Sequence, residues 1–129
     1  VKRVTGIGGI FIKAENPGKL YEWYEKHLGI IREPHGHGAM LHWREEENPE
    51  RRGATVWALF EKHSEYFDPS RAPFMINYRV DDLDGLLEAL RAEGVESKRE
   101  DSDYGRFAWI TDPEGNKIEL WQPPAEPAA

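Results

Sequence analysis

The residue with the clearest chemical potential is Glu119, in the run Asp112-Pro113-Glu114-Gly115-Asn116-Lys117-Ile118-Glu119-Leu120-Trp121. A carboxylate can move a proton beside a carbonyl, attract a cation or ligate a divalent metal, and its surroundings decide which. Asp-Pro-Glu-Gly is a turn: Pro113 sets φ for a type I turn and Gly115 can take the left-handed position after it. Arg106 to Thr111 before it is rich in aromatic and β-branched residues, and Lys117 to Trp121 after it alternates, which predicts a β-hairpin. The alternation puts Ile118 and Leu120 on one face, and Lys117, Glu119 and Trp121 on the other. The histidines are the remaining candidates. His35 and His37, in a glycine-flanked turn, and His42 form the one cluster with metal-ligand character. Two histidines at i, i+2 with no preorganised third ligand are a thin basis for a site, so no metal is assigned there.

Such residues need a frame, and 129 residues are enough for one domain with a real core. Hydrophobic content of 39% and aromatic content of 12% fit a globular chain. No apolar run approaches the roughly 20 residues of a membrane helix. No signal-peptide pattern opens the chain, so the expected location is the cytoplasm. The absence of cysteine excludes disulfides, thiol catalysis and zinc-thiolate sites. A net charge of −7 argues against a nucleic-acid partner.

Residues 4–14 read as a strand with glycines near its start. Asn16-Pro17 then opens a helix, Asn16 as N-cap and Pro17 at the first position, and Gly29 stops it. Leu20, Trp23, Tyr24, His27 and Leu28 fall on one helical stripe, predicted to be the buried face, with His27 at the core edge. Ala39 to Arg44 and Thr55 to Phe60 read as strands around a charged loop. Residues 63–72, with Pro69 inside and Pro73 just after, show no period and read as a linker. Phe74 to Val80 is a strand. Asp81 or Asp82 caps a helix with Leu83, Leu86, Leu87 and Leu90 on its apolar stripe, ended by Gly94. A polar edge at 96–100 precedes the hairpin, and 123–129 is a proline-rich tail.

The two halves repeat. Ala14 and Val80, Leu20 and Leu86, and Glu22 and Glu88 are each 66 residues apart, the helix-ending glycines 65, and the closing strands match at 61, Ala58 to Glu119. This predicts two βαβββ modules, at 4–62 and 73–122, closing a common core.

The helix ending Leu20-Tyr21-Glu22-Trp23-Tyr24-Glu25-Lys26-His27-Leu28-Gly29, the run Tyr78-Arg79-Val80-Asp81-Asp82 and the closing Asp112 to Leu120 resemble the vicinal oxygen chelate superfamily: glyoxalase I, fosfomycin and bleomycin resistance proteins, and extradiol dioxygenases. The resemblance implies an α+β fold in which paired βαβββ modules form a cupped mixed sheet around a central small-molecule pocket, commonly in a homodimer. It also implies four pseudo-symmetric metal positions, which fall at Gly9, Ala58, Met75 and Glu119. Only Glu119 could serve: glycine and alanine offer no ligand, and the Met75 thioether does not suit hard or borderline divalent ions. About three protein ligands are needed, so neither metal nor other cofactor is expected.

Extending the strand alternation gives an inward set of Gly9, Phe11, Lys13, Ala58, Met75, Asn77, Arg79 and Trp121, with Trp43, Trp57 and Trp109 completing the walls. Two functions follow. One is metal-independent binding of a small aromatic or cationic molecule, as in bleomycin resistance proteins. The alternative is a lyase or isomerase acting on a small carbonyl compound, with Glu119 as general base and Arg79 or Lys13 stabilising an enolate. Whether the protein is an enzyme stays open at this level.

Overall fold

The computed structural model describes residues 3–34 and 38–125. Ten elements follow in order: β1 (Val4–Ala14), α1 (Pro17–Leu28), β2 (Ala39–Arg44), β3 (Arg52–Glu61), a 3₁₀ turn (Glu65–Phe67), β4 (Phe74–Val80), α2 (Leu83–Ala92), β5 (Lys98–Ser102), β6 (Gly105–Thr111) and β7 (Lys117–Gln122). The strands form one seven-stranded mixed sheet in the order β2-β3-β1-β4-β7-β6-β5, so the class is α+β, as expected. Among the described residues the first module has three strands and the second four. His35 and His37 lie outside the described residues, and His42 is exposed.

The two modules join along β1 and β4, which pair antiparallel with Ile10 opposite Ile76. Those residues are 66 apart, the repeat spacing, so the pseudo-twofold axis passes through this pair. On either side each module closes with a parallel pair: Phe11 opposite Ala58, and Asn77 opposite Glu119. Phe11 and Asn77 are 66 apart and Ala58 and Glu119 are 61 apart, so one register satisfies both repeat spacings.

Both helices pack on the same face. Under α1 lie Ile10, Ile12, Ala39, Trp57 and Leu59, and under α2 lie Val80, Ala108, Ile110, Ile118 and Leu120. The opposite face holds Phe11, Ala58, Met75, Val56, Phe60 and Trp109 around Phe67, and this is the inside of the cup. Local signals act as expected at the ends. Asn16 accepts from Lys19 N, Gly29 is left-handed at φ 67°, and Asp82 caps α2 through Gly85 N. Asp81 instead receives Arg51 in a two-pronged ion pair.

Three expectations need correction. The buried residue of α1 is Tyr21, with Leu20 and Tyr24 beside it; Trp23, His27 and Leu28 are exposed. The helix is rotated because the Tyr21 hydroxyl reaches the sheet and accepts from Leu59 N at 2.8 Å. Trp57 belongs under α1, edge-on to Tyr21 and tilted on Tyr24, and not to the pocket wall, because its neighbour in β3, Ala58, takes the cup side. Nor is 63–72 a passive linker: its 3₁₀ turn carries Phe67, fully buried, back into the cup. No described helix is long and apolar enough to cross a membrane.

Replacing Tyr21 with Phe leaves a buried N–H of β3 without its acceptor. Urea unfolding should show a loss of about 1–3 kcal/mol, and a loss near zero would mean that the hydroxyl does not set the rotation of α1.

Candidate functional site

Three strands and the linker converge on Glu119. The register places Asn77 of β4 on one side of it and Trp109 of β6 on the other, and the Tyr66 hydroxyl donates to its Oε2 at 2.9 Å. Glu119 is only 2% exposed. No Lys or Arg pairs with it among the described residues; Lys117, two residues along the strand, donates to the Tyr66 carbonyl at 2.7 Å and lies over the Tyr66 and Trp109 rings.

Burial therefore pushes the Glu119 carboxyl above the usual carboxylate range, opposed by the Tyr66 hydrogen bond, weaker help from Asn77 and Trp109, and the Lys117 charge. Of these, the Tyr66 bond is the one fully formed: the buried Trp109 Nε1 and Asn77 Oδ1 make no hydrogen bond among the described residues. Burial, then the nearby Glu119 charge, pushes the Tyr66 phenol above its ordinary range, so it remains a donor. Burial also lowers Lys117.

The two halves of the cup differ. In the first-module half, Phe67 packs on Phe11, Ala58 and Met75, with Lys13 Nζ 5.1 Å from its ring centre, so this half is plugged. The second-module half carries a run of parallel rings: Trp109 and Phe107 with centroids 6.3 Å apart and planes 12° apart, then Phe107 and Trp121 at 6.0 Å and 10°. Phe107 and Trp109 are i, i+2 on one strand, and Trp121 is opposite Phe107 on the next, so sheet geometry sets the rings side by side. The Arg79 guanidinium continues the run, 5.9 Å from Trp121 and 5.7 Å from Trp43. Trp43 lies across Gly6 and Gly53, where a Cβ would fall within 2.4 Å of its ring, and its Nε1 donates to Thr55 at 2.8 Å. Phe107, Trp109, Trp121, Trp43 and Arg79 are all half-buried. Near Trp109 and Lys117 a groove of about 760 Å³ opens between Asp68-Pro69 and the Glu96–Lys98 segment.

The four metal positions do not fit an ion. A Cβ on Gly9 would lie 2.7 Å from the Phe11 ring, so that ring fills the place of the first ligand. Ala58 and Met75 pack against Phe67, and Glu119 is covered by Tyr66.

Of the residues singled out from sequence, Lys13, Asn77, Arg79, Trp109 and Trp121 face the cup with Glu119. Gly9, Phe11, Ala58 and Met75 belong to its plugged half, Trp43 closes one end, and Trp57 is on the other face. Tyr66, Phe67 and Phe107 were not anticipated. The adjacent aromatics before Asp68-Pro69 were the available signal for the first two, since a solvated linker has little use for them.

A cupped mixed sheet of paired modules, helices outside and functional groups inside, defines the class of protein. The model of the glyoxalase-like domain matches residues 9–121, and the chain belongs to that family. Its fold is similar to a variant of the Streptomyces coelicolor methylmalonyl-CoA epimerase in complex with 2-nitronate-propionyl-CoA (20% identity, 95% of this chain and 99% of that one, TM-score 0.68). It is also similar to methylmalonyl-CoA epimerase from Mycobacterium tuberculosis (21%, 97% and 92%, 0.62), and to a methylmalonyl-CoA epimerase in complex with methylmalonyl-CoA and NH4+ (21%, 98% and 99%, 0.65). At these identities the likeness establishes the fold. No curated protein matches the chain.

The raised Glu119 carboxyl has a consequence for stability. A group whose pKa is higher folded than unfolded stabilises the fold fully below its unfolded value, near 4.5, and that contribution is lost as pH rises through the folded value. Glu119→Gln keeps the Tyr66 bond without the charge. Its melting temperature should exceed that of the parent at pH 7 to 8, with the difference vanishing near pH 4. A constant difference across that range would show that Glu119 is not held above its ordinary pKa.

Proposed function

We propose that the protein binds a small organic molecule in the second-module half of the cup without a metal, laying a flat part of the ligand against the ring run of Trp121, Phe107 and Trp109. The observation that carries this reading is the run itself: three near-parallel, half-buried rings on a concave face, next to a deeply buried polar pair. Aromatic walls with few polar groups are what a small-ligand site requires, and the residues at the four metal positions argue for binding by contact alone. Exposed Trp23, Leu28 and Ile31 along and after α1 offer an apolar face for a second copy, so a cytoplasmic homodimer is part of the same reading.

A second reading rests on the Glu119–Tyr66 pair. A carboxyl held above its usual pKa in an apolar cup is suited to proton transfer beside a carbonyl, and the fold is shared with epimerases of a CoA thioester. Glu119 would take the proton from the carbon next to the carbonyl, leaving an enolate, exchange it with solvent and return a proton to that carbon, once the Tyr66 hydroxyl had moved aside. Deuterium exchange into methylmalonyl-CoA, lost in Glu119→Gln, would replace the binding reading with this one.

The binding reading is tested with a panel of bicyclic aromatics, neutral and of either charge, by tryptophan quenching and thermal shift. At least one should bind saturably, and Trp121→Ala should weaken it about tenfold, the equivalent of roughly 1.4 kcal/mol of ring contact. No binding across the panel would overturn the proposal.

A further inference from the structure

Resting on that reading, we infer that the cup selects an anionic aromatic molecule, an aromatic carboxylate or phosphate ester whose acidic group docks on Arg79 while its ring lies on Trp121 and Phe107. A cationic ligand is the other possibility that the ring run alone would allow, and the charges around it decide between them.

The charged groups inside the cup are Lys13, Arg79, Lys117 and Glu119. The single carboxyl is the one group among them that no ligand can reach: it is 2% exposed and covered by the Tyr66 hydroxyl. A cation on the rings would meet Glu100, opposite Phe107 on the edge strand β5, but that carboxylate is exposed to water and its pull is screened. The three basic residues have no carboxylate within ion-pair distance among the described residues. Two of them are otherwise engaged. Lys117 donates to the Tyr66 carbonyl, and Lys13 lies over Phe67 in the plugged half. Arg79 is different. Its guanidinium is held between the Trp43 and Trp121 rings, and its one hydrogen bond among the described residues is a long one, 3.4 Å, from Nη2 to the Arg52 carbonyl. Asp81, an acid that feels its charge, is bound through both oxygens by Arg51. A planar fork with spare N–H donors, fixed by ring contacts at the end of an aromatic wall, is a receptor for a carboxylate or phosphate. This basic end stands out in a chain of net charge −7.

The test compares 2-naphthoate, 2-naphthylmethanol and 2-naphthylmethylammonium at pH 7 by isothermal titration. Naphthoate should bind at least tenfold tighter than the other two, the advantage should shrink as salt is raised, and Arg79→Met should bring naphthoate down to the alcohol's affinity. Arg79→Lys, which keeps the charge but not the fork, should retain part of the advantage. If the ammonium or the alcohol binds as well as naphthoate, the charge selection is overturned while the binding reading stands. If none of the three binds, both fall. The comparison among probes on the unmodified protein needs no variant to fold.

Discussion

The antiparallel seam between β1 and β4 is the constraint on which the rest depends. Side chains alternate with a period of two along a strand, so a slip of one residue would turn the whole inner set toward the helices. The seam is pinned by what fits across it. Gly9 lies opposite Asn77 and has no room for a side chain beside the Phe11 ring. Gly8 is equally restricted, since a Cβ there would fall 2.3 Å from Asn77 Oδ1. The register shift between Ile7 and Gly9 lets β1 accommodate both contacts. With the seam fixed, parallel pairing carries the order outward and delivers Glu119 beside Asn77.

The backbone repeats, but the side chains do not, and function follows from that difference. The positions equivalent by repeat are Phe11 and Asn77, and Ala58 and Glu119. One module thus presents an apolar pair and the other a polar one. The apolar half accepts Phe67 from the linker, and full burial of such a side chain contributes on the order of 2–3 kcal/mol. The polar half must satisfy a carboxyl out of water, which is unfavourable unless it is neutral or hydrogen-bonded. The same 3₁₀ turn that supplies the plug supplies Tyr66, so one short segment completes both halves.

The fold was legible in the sequence because its signals were local and repeated: Asn16 and Asp82 as caps, Gly29 and Gly115 in the left-handed region, and a spacing of 66 that the register reproduces at Ile10 and Ile76. Glu119 was legible as an inward residue from strand alternation alone. The helix face was misjudged because Tyr21 and Trp23 fall on adjoining stripes, and only the distance from a phenol to Leu59 N decides which is buried. Trp57 was misplaced for a related reason: it was taken with Trp43 and Trp109 to complete the walls, although strand parity already separated Trp57 from Ala58. The role of 65–67 could not be read from periodicity, since a single 3₁₀ turn has none. What covers Glu119 is a contact 53 residues away in sequence.

The coverage of Glu119 links the two readings of the cup. Under Tyr66 it stays out of a ligand's reach, and the local field that a ligand meets inside the cup is set by Arg79, Lys117 and Lys13, with Glu100 at the rim. A low-dielectric wall of rings strengthens that field on a ligand's charge relative to water. As a base, Glu119 would have to lose its cover. Moving Tyr66 also disturbs the Lys117 bond to its carbonyl and draws on Phe67, its neighbour in the chain, whose ring fills the other half. Binding along the ring run needs none of these changes, because Trp121, Phe107 and Arg79 already stand half-exposed. The resting geometry is therefore arranged for recognition first, and proton transfer requires an opening of the linker that the packing of Phe67 resists.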